Sequence, residues 1–408
     1  MKWVVGIFIG AFTFTAVSAE EPQYWMKITA KDKYERSEVA NTGVSIEHVT
    51  SEDLVAIGTE AELQAVRATG RLLSSFRLMG PLDFPPQDSE FHNYSELLDA
   101  LKTLASENPD FITYEVIGKS LEGRDLVSLR FSLASKTTKP AVVFLGTHHA
   151  REHLSTEVPL LLAQWLAEQA KKGDADVLRW LETREIYIVP MVNPDGVEHD
   201  IENGKYRAWR KNRRLNKGGV YGVDLNRNYG FQWGTGGSSK SPSSDVFMGP
   251  EPFSEPETQA IRDFVQARPQ ITTLLSFHTF SELILYPWGH KYDGITDPRA
   301  LKVHETMAKT MAQWNRYTPQ QASDLYIASG DTTDWAYGSR GIISFTFELD
   351  PKMSLGTGGF YPGQAVIQKV FQKNLKPCLY LIEHADNPYR VIDSPSRSYG
   401  FSSRILDR

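Results

Sequence analysis

The sequence predicts an α/β domain, a sheet covered by helices on both faces, preceded by a small α+β open sandwich. Three observations lead there. From about residue 91 onward, strand-like runs that are apolar almost throughout alternate with helix-length amphipathic runs, the pattern of a sheet buried on both sides. Ahead of them, a shorter stretch reads β-α-β-β-α-β, the order of an open sandwich with helices on one sheet face. Between the two lies "MGPLDFPPQDSE", where Gly80, Pro81, Pro85 and Pro86 make a linker. A chain of 408 residues has room for one large domain and such a smaller unit.

Taken in order, residues 1–19 carry the parts of a cleavable export signal. Lys2 is followed by an apolar run from Trp3 to Val17, which closes on Val17-Ser18-Ala19 before Glu20 and Glu21. The run is shorter than the roughly 18–20 residues a membrane span requires, and no later segment could cross a bilayer. The expected location is therefore secreted or periplasmic, with no stable membrane anchor. Residues 20–79 hold the small unit. "YWMKITA" alternates as a strand, "KDKYERSEVANTG" is a short helix stopped by Gly43, and "VSIEHV" and "LVAIGT" are strands. "EAELQAVRATG" is a helix ending on Gly70, and "LLSSFRL" is the closing strand.

Residues 80–90 are the linker, and residues 91–386 form the larger domain. Its predicted strands are "DLVSLRFS", "AVVFLGTHH", "REIYIVPMV", "ITTLLSFHT" and "IISFTFEL". Its predicted helices are "STEVPLLLAQWLAEQAKK", "PETQAIRDFVQAR", "ALKVHETMAKTMAQW" and "GQAVIQKVFQKNL". Residues 387–408, polar with scattered arginines, are expected to extend outside the core.

A net charge of -6 argues against nucleic acid as a partner. Cys378 is the only cysteine, so no intrachain disulfide can form. Export without disulfides suits a bacterial periplasm or culture fluid, and Cys378, within "LKPCLYLIEH", reads as a buried helix residue.

The chemistry concentrates where "AVVFLGT" runs into "HHAREH". Ionisable residues just past a buried strand lie at the carboxyl edge of the sheet, where α/β folds place their ligand sites. His149 and Glu152 are three residues apart and reach one ion from a single turn. Two histidines and a glutamate, with a fourth position open, are a common zinc set in hydrolases. His278 ends another apolar strand and supplies a third ligand. His148 and His153 compete with His149, and spacing alone leaves that choice open.

This segment resembles the H-x-R-E signature of the zinc carboxypeptidases of the A/B type. In that family the third ligand lies far downstream, in a strand followed by an "LLLYPYG"-like run. Here the interval is 278 − 149 = 129 residues, and "TFSELILYPWG" follows His278. The likeness continues in order through "NPDGVEHD", "RAWRKNRR", "GVDLNRNYGFQW", "YIASGDTTDW" and "SFTFEL", from about Phe91 to Asp386. It implies a mixed twisted sheet and one Zn2+ per chain, held by His149, Glu152 and His278. It also implies Glu348 as the catalytic base and Arg210 as the group that stabilises the developing oxyanion. Arg227 and Asn226 correspond to the clamp for a terminal carboxylate, and Tyr326 to the mobile tyrosine that closes over it. Arg151 and Arg207 correspond to arginines flanking the substrate path, and Asp224 to the carboxylate that orients the first zinc histidine.

Further expectations follow from the resemblance. Thr333, seven positions after Tyr326, falls at the base of the side-chain pocket. Leu285, Gly289, Gln321, Leu325, Ala328 and Thr346 fall on its walls. With no buried charge at these positions, neutral termini, hydrophobic or moderately polar, are expected. Lys211, Arg213 and Arg214 are left as surface charges. The unit over residues 20–79 resembles the family's prosegment, to be cut away between Arg77 and Phe91. The partners expected are peptide or protein C-termini, for a chain acting as a monomer. Two other readings are a peptidase of peptidoglycan stems and a catalytically silent binding module; the intact His149, Glu152, His278 and Glu348 argue against the second.

Overall fold

The computed structural model describes residues 23–77, 82–83, 88–202, 204–352 and 359–393. The expected export signal lies outside them, as do parts of the linker and residues 394–408. The small unit runs β1 (Gln23–Thr29), α1 (Lys33–Ala40), β2 (Ser45–Val49), β3 (Asp53–Thr59), α2 (Glu60–Ala68) and β4 (Leu72–Arg77). Its sheet has the order β2-β3-β1-β4 and is antiparallel throughout. Alternate residues Met26, Ile28, Leu54 and Ala56 point to one face and meet Val39, Ala40, Leu63 and Val66 of the two helices. Each buried Met, Ile, Leu or Val side chain among these contributes about 1.5–3 kcal/mol, each alanine less. A capping box starts α2: Glu62 N–H donates to Thr59 Oγ1 at 3.3 Å, and Thr59 N–H donates to Glu62 Oε2 at 2.8 Å.

The larger domain follows. After β5 (Leu82–Asp83) come α3 (Tyr94–Ser106), β6 (Ile112–Lys119), β7 (Asp125–Phe131), β8 (Ala141–Leu145), α4 (Leu154–Lys171), α5 (Ala175–Thr183), β9 (Glu185–Val189) and α6 (Pro194–Asp200). Then come β10 (Lys205–Tyr206), α7 (Pro256–Gln266), β11 (Ile271–Thr279), β12 (Leu283–Tyr286), α8 (Pro298–Asn315) and β13 (Thr318–Gln321). The last elements are α9 (Thr332–Arg340), β14 (Ile343–Leu349), α10 (Ile367–His384) and α11 (Arg390–Asp393). Eight strands form a mixed sheet of order β13-β12-β14-β11-β8-β9-β7-β6. Its centre, β14-β11-β8-β9, is parallel.

The near-continuous apolar strands are explained by the two faces they serve. In β8, Val142 and Phe144 pack with helices α4, α8 and α10, while Ala141, Val143 and Leu145 pack with α7 and α9. Because β8, β11 and β14 are parallel, their carboxyl ends open on the same edge, and the site lies there. None of the described helices is long and apolar enough to cross a membrane.

Two expectations need correction. Residues 387–393 are part of the packed domain: Val391 is buried, and Tyr389 and Ile392 lie against the same core. Three apolar side chains in so short a segment give no readable period. Lys211, Arg213 and Arg214 are also not a solvated face. Lys211 is buried and donates to the carbonyls of Pro242 and Ser244 at 2.7 and 2.9 Å. Arg213 stacks on Trp209 and Tyr221, and Arg214 pairs with Glu255 at 2.7 Å.

Candidate active site

The loop after β8 turns at once because Gly146 carries no side chain. A Cβ there would stand 2.1 Å from the Ser155 carbonyl oxygen and 2.5 Å from that of Pro190. Thr147 follows with a φ of 55°, held by its hydroxyl at 2.6 Å from that of Thr156. This turn brings His149 and Glu152 up to His278 on β11. His149 Nδ1 lies 2.7 Å from Glu152 Oε1, and His278 Nδ1 lies 3.0 Å from Glu152 Oε2. The two Nδ1 atoms are 3.1 Å apart. All three residues are buried, and their ligand atoms lie within 4.8 Å of one another. Two imidazole nitrogens and a carboxylate aimed at one point suit a zinc ion, and they leave room for a further ligand.

Behind this cluster stands a second set of partners. Asp224 Oδ1 is 3.1 Å from His149 Nε2, and its Oδ2 accepts Nε and Nη2 of Arg210 at 3.1 and 3.0 Å. Against the cost of burial, Arg210 and His149 hold the Asp224 carboxyl well below its ordinary range. The chain Arg210–Asp224–His149 fixes the plane of the imidazole, as a carboxylate behind a metal-binding histidine does. Backbone N–H of Thr279 reaches Glu152 Oε2 at 3.2 Å. Glu348 on β14 is the register partner of His278. Burial and the nearby Glu152 carboxylate push its carboxyl well above the usual range.

The same cleft is lined by Arg210, Asn226, Arg227, Leu325 and Tyr326. Arg227 donates from Nε and Nη1 to the carbonyls of Gly237 and Asn226 at 3.1 and 2.8 Å, which fixes its guanidinium. Asn226 Oδ1 accepts the N–H and hydroxyl of Thr332. Thr333 and Thr346 hydroxyls meet at 2.6 Å, between α9 and β14. Gln321 turns its amide to the carbonyls of residues 291–293 and to Ser323.

Not every candidate falls here. His148 is engaged by Tyr229 and Thr332, at 2.8 and 3.1 Å from its Nε2, and His153 by Asp200 at 2.9 Å. Arg207 pairs with Glu202 at 2.7 Å and does not line the cleft. Arg151 is wholly buried. It donates to Glu47 of the small unit at 2.6 Å and to Asp245 at 3.1 Å, and its guanidinium lies 4.4 Å from the ring centroid of Phe360. Gly289 packs beside Asp331: a Cβ built on it would stand 3.3 Å from Asp331 Oδ2.

The opposite wall of the cleft belongs to the small unit. Ile46, Glu47, His48 and Val49 of β2 face His149, Glu152, Arg227 and Glu348. His48 stacks on Phe280 with ring centroids 6.1 Å apart, Tyr326 packs against the small unit's own core, and Ile327 N–H donates to Ser37 Oγ at 2.8 Å. The remaining space is about 50 Å³, enough for a few waters and too little for a peptide terminus. The sequence reading missed Glu47 and Asp245. A glutamate alternating in "VSIEHV" gives no sign of a partner 104 residues away.

Fold and site together define a metal-dependent hydrolase, and the comparisons place it more closely. The family model described as zinc carboxypeptidase matches residues 97–377. A zinc carboxypeptidase of Saccharothrix mutabilis subsp. capreolus is 34% identical over 393 residues, 90% of each chain. A carboxypeptidase B of Astacus astacus is 33% identical over 270 residues, 64% of this chain and 86% of that one. The crystal structure of carboxypeptidase A from Helicoverpa armigera shares the fold, with a TM-score of 0.76 at 24% identity over 92% of this chain and 99% of its own. The chain belongs to the zinc carboxypeptidase family. It is a metallocarboxypeptidase acting on peptide C-termini, with one zinc ion as cofactor.

Proposed function

We propose that the protein is exported as an inactive precursor and, once trimmed, acts as a monomer that removes neutral C-terminal residues. The observation that carries this reading is that His149, Glu152 and His278 converge beside Glu348 in the same cleft as Arg210, Asn226 and Arg227. Zinc held by the first three supplies Lewis acidity, which polarises the scissile carbonyl and makes water a better nucleophile.

The chain's own groups do the rest. Arg227, with Asn226 beside it, receives the terminal carboxylate of the substrate; a planar guanidinium matches its two oxygens. Tyr326 closes over that terminus. Glu348 takes the proton of the attacking water and passes it to the leaving amine. Arg210 faces the oxygen on which negative charge grows, a contact that strengthens in the transition state. Leu285 and Leu325 wall the side-chain pocket above Thr333 and Thr346, whose hydroxyls satisfy one another, so a neutral side chain displaces little of value. Residues 20–79 act as the prosegment: β2 fills the cleft with Glu47 on Arg151 and denies room to a substrate.

Glu348→Gln tests the assignment of the base. Trimmed Glu348→Gln protein is expected to bind one zinc per chain and to lose about 10²–10⁴-fold in kcat on a blocked dipeptide. Full activity would remove Glu348 from the chemistry.

A further inference from the structure

The segment that delivers Arg210 to the cleft is irregular backbone, and it is held from one buried point. Ala208 has a φ of 55°, a conformation that a residue with a Cβ keeps only where its surroundings impose it. Asp200, the last residue of α6 and fully buried, supplies the anchor. Its Oδ1 accepts the N–H of Trp209 at 2.7 Å and that of Arg207 at 3.3 Å. Between these two, Ala208 N–H donates at 3.1 Å to the Tyr361 hydroxyl, which itself donates to Asp200 at 3.0 and 2.9 Å. Three successive N–H groups are thus fixed on one carboxylate, directly or through a single hydroxyl.

The same carboxylate reaches the metal-binding loop. Asp200 Oδ2 lies 2.9 Å from Nε2 of His153, the residue after Glu152. The two segments also meet directly: Ala150 N–H donates to the Arg210 carbonyl at 3.0 Å, and Arg151 Nη1 to the Ala208 carbonyl at 3.1 Å. Arg210 is therefore held at both ends, its guanidinium by Asp224 and its backbone by the segment that Asp200 fixes. An acid at the carboxyl end of a helix is unfavourable for the helix itself, so α6 gives no reason for Asp200, and the donors gathered around it do.

We propose that Asp200 is a positioning residue for the reaction, setting the backbone that carries Arg210 against the loop that carries His149 and Glu152. This rests on the role given to Arg210 above. A cation that serves charge developing on the substrate oxygen must stand in place beforehand, and a displacement on the order of 1 Å costs about 10²-fold in rate. Asp200 touches neither substrate nor metal; it acts through Arg207, Ala208 and Trp209 on one side and His153 on the other. An asparagine at this position keeps a single acceptor oxygen. Trp209 N–H and His153, which now meet different oxygens, can then no longer both be served, and the two segments lose their common anchor.

The test uses the trimmed, zinc-loaded enzyme and a blocked dipeptide ending in Phe. Asp200→Asn is expected to keep its zinc and to lower kcat by about 10–100-fold. KM is expected to stay within about twofold, the pattern of a contact made only in the transition state. Inhibition gives a second readout. A phosphonate analogue of the dipeptide, which turns tetrahedral oxygens toward Arg210, is expected to bind more weakly by the factor that kcat/KM loses, while free phenylalanine binds as to wild type. Unchanged kcat, loss of zinc, or phosphonate and phenylalanine weakened alike would overturn the inference and leave Asp200 a residue of the fold only. If Asp200→Asn does not fold, Tyr361→Phe decides, because it removes the hydroxyl between Ala208 and Asp200 and keeps the stack on Tyr206. The same split is expected there at about 2–10-fold, and wild-type kinetics would overturn the inference. A wild-type enzyme that turns over no dipeptide, or Arg210→Lys with undiminished kcat, would instead remove the role of Arg210, and this inference with it.

Discussion

The two walls of the cleft are built on different terms. On one side, every group around His149, Glu152 and His278 comes from the larger domain: Asp224 and Arg210 behind, Thr279 beneath, and Glu348 in register alongside. On the other side, Arg151 divides its guanidinium between Asp245 of its own domain and Glu47 of the small unit. The first wall closes its hydrogen bonds internally and needs nothing from residues 23–77. The second is a shared contact, and Arg151 keeps a partner when the small unit leaves. A site that is complete by itself and a cover held by side-chain contacts such as Glu47–Arg151, Ser37–Ile327 and Lys33–Asp324 are what a removable inhibitor requires.

That contrast can be broken from either side. The larger effect is expected on the self-contained wall. Asp224→Asn keeps the shape of the carboxylate but loses its charge against Arg210 and its hold on His149. Zinc affinity of the trimmed protein is expected to fall about 10–100-fold, read by titration with a competing chelator. An unchanged affinity would mean that His149 is oriented by its loop alone. A smaller effect is expected on the shared wall. Glu47→Gln removes one charge from a buried pair while Asp245 stays on Arg151. Hydrogen bonds to charged groups contribute about 1.5–3 kcal/mol, so uncut Glu47→Gln protein should be at least about tenfold more active than uncut wild type, with the trimmed forms equal. Uncut forms equally silent would place the hold of the small unit elsewhere, on the Ser37–Ile327 and His48–Phe280 contacts.

The same contrast describes what could be read in the sequence. The strands ending in His149, His278 and Glu348 were legible because a strand buried on both faces is apolar throughout, and a charged residue at its end stands out. Helix α3 is not among the expected elements, although Asn93 and Glu96 form a capping box around its start, a signal carried by "NYSE". Arg213 and Arg214 could not be read correctly from charge pattern, because Trp209, Tyr221 and Glu255 become their partners only in the fold.

The most direct measurement compares uncut protein with protein trimmed after the small unit, both zinc-loaded, by kcat/KM on one blocked dipeptide ending in Phe. With β2 filling the cleft, the uncut form is expected to be silent and the trimmed form active. Equal activity of the two forms would contradict the account, because the small unit would then leave the cleft open in solution.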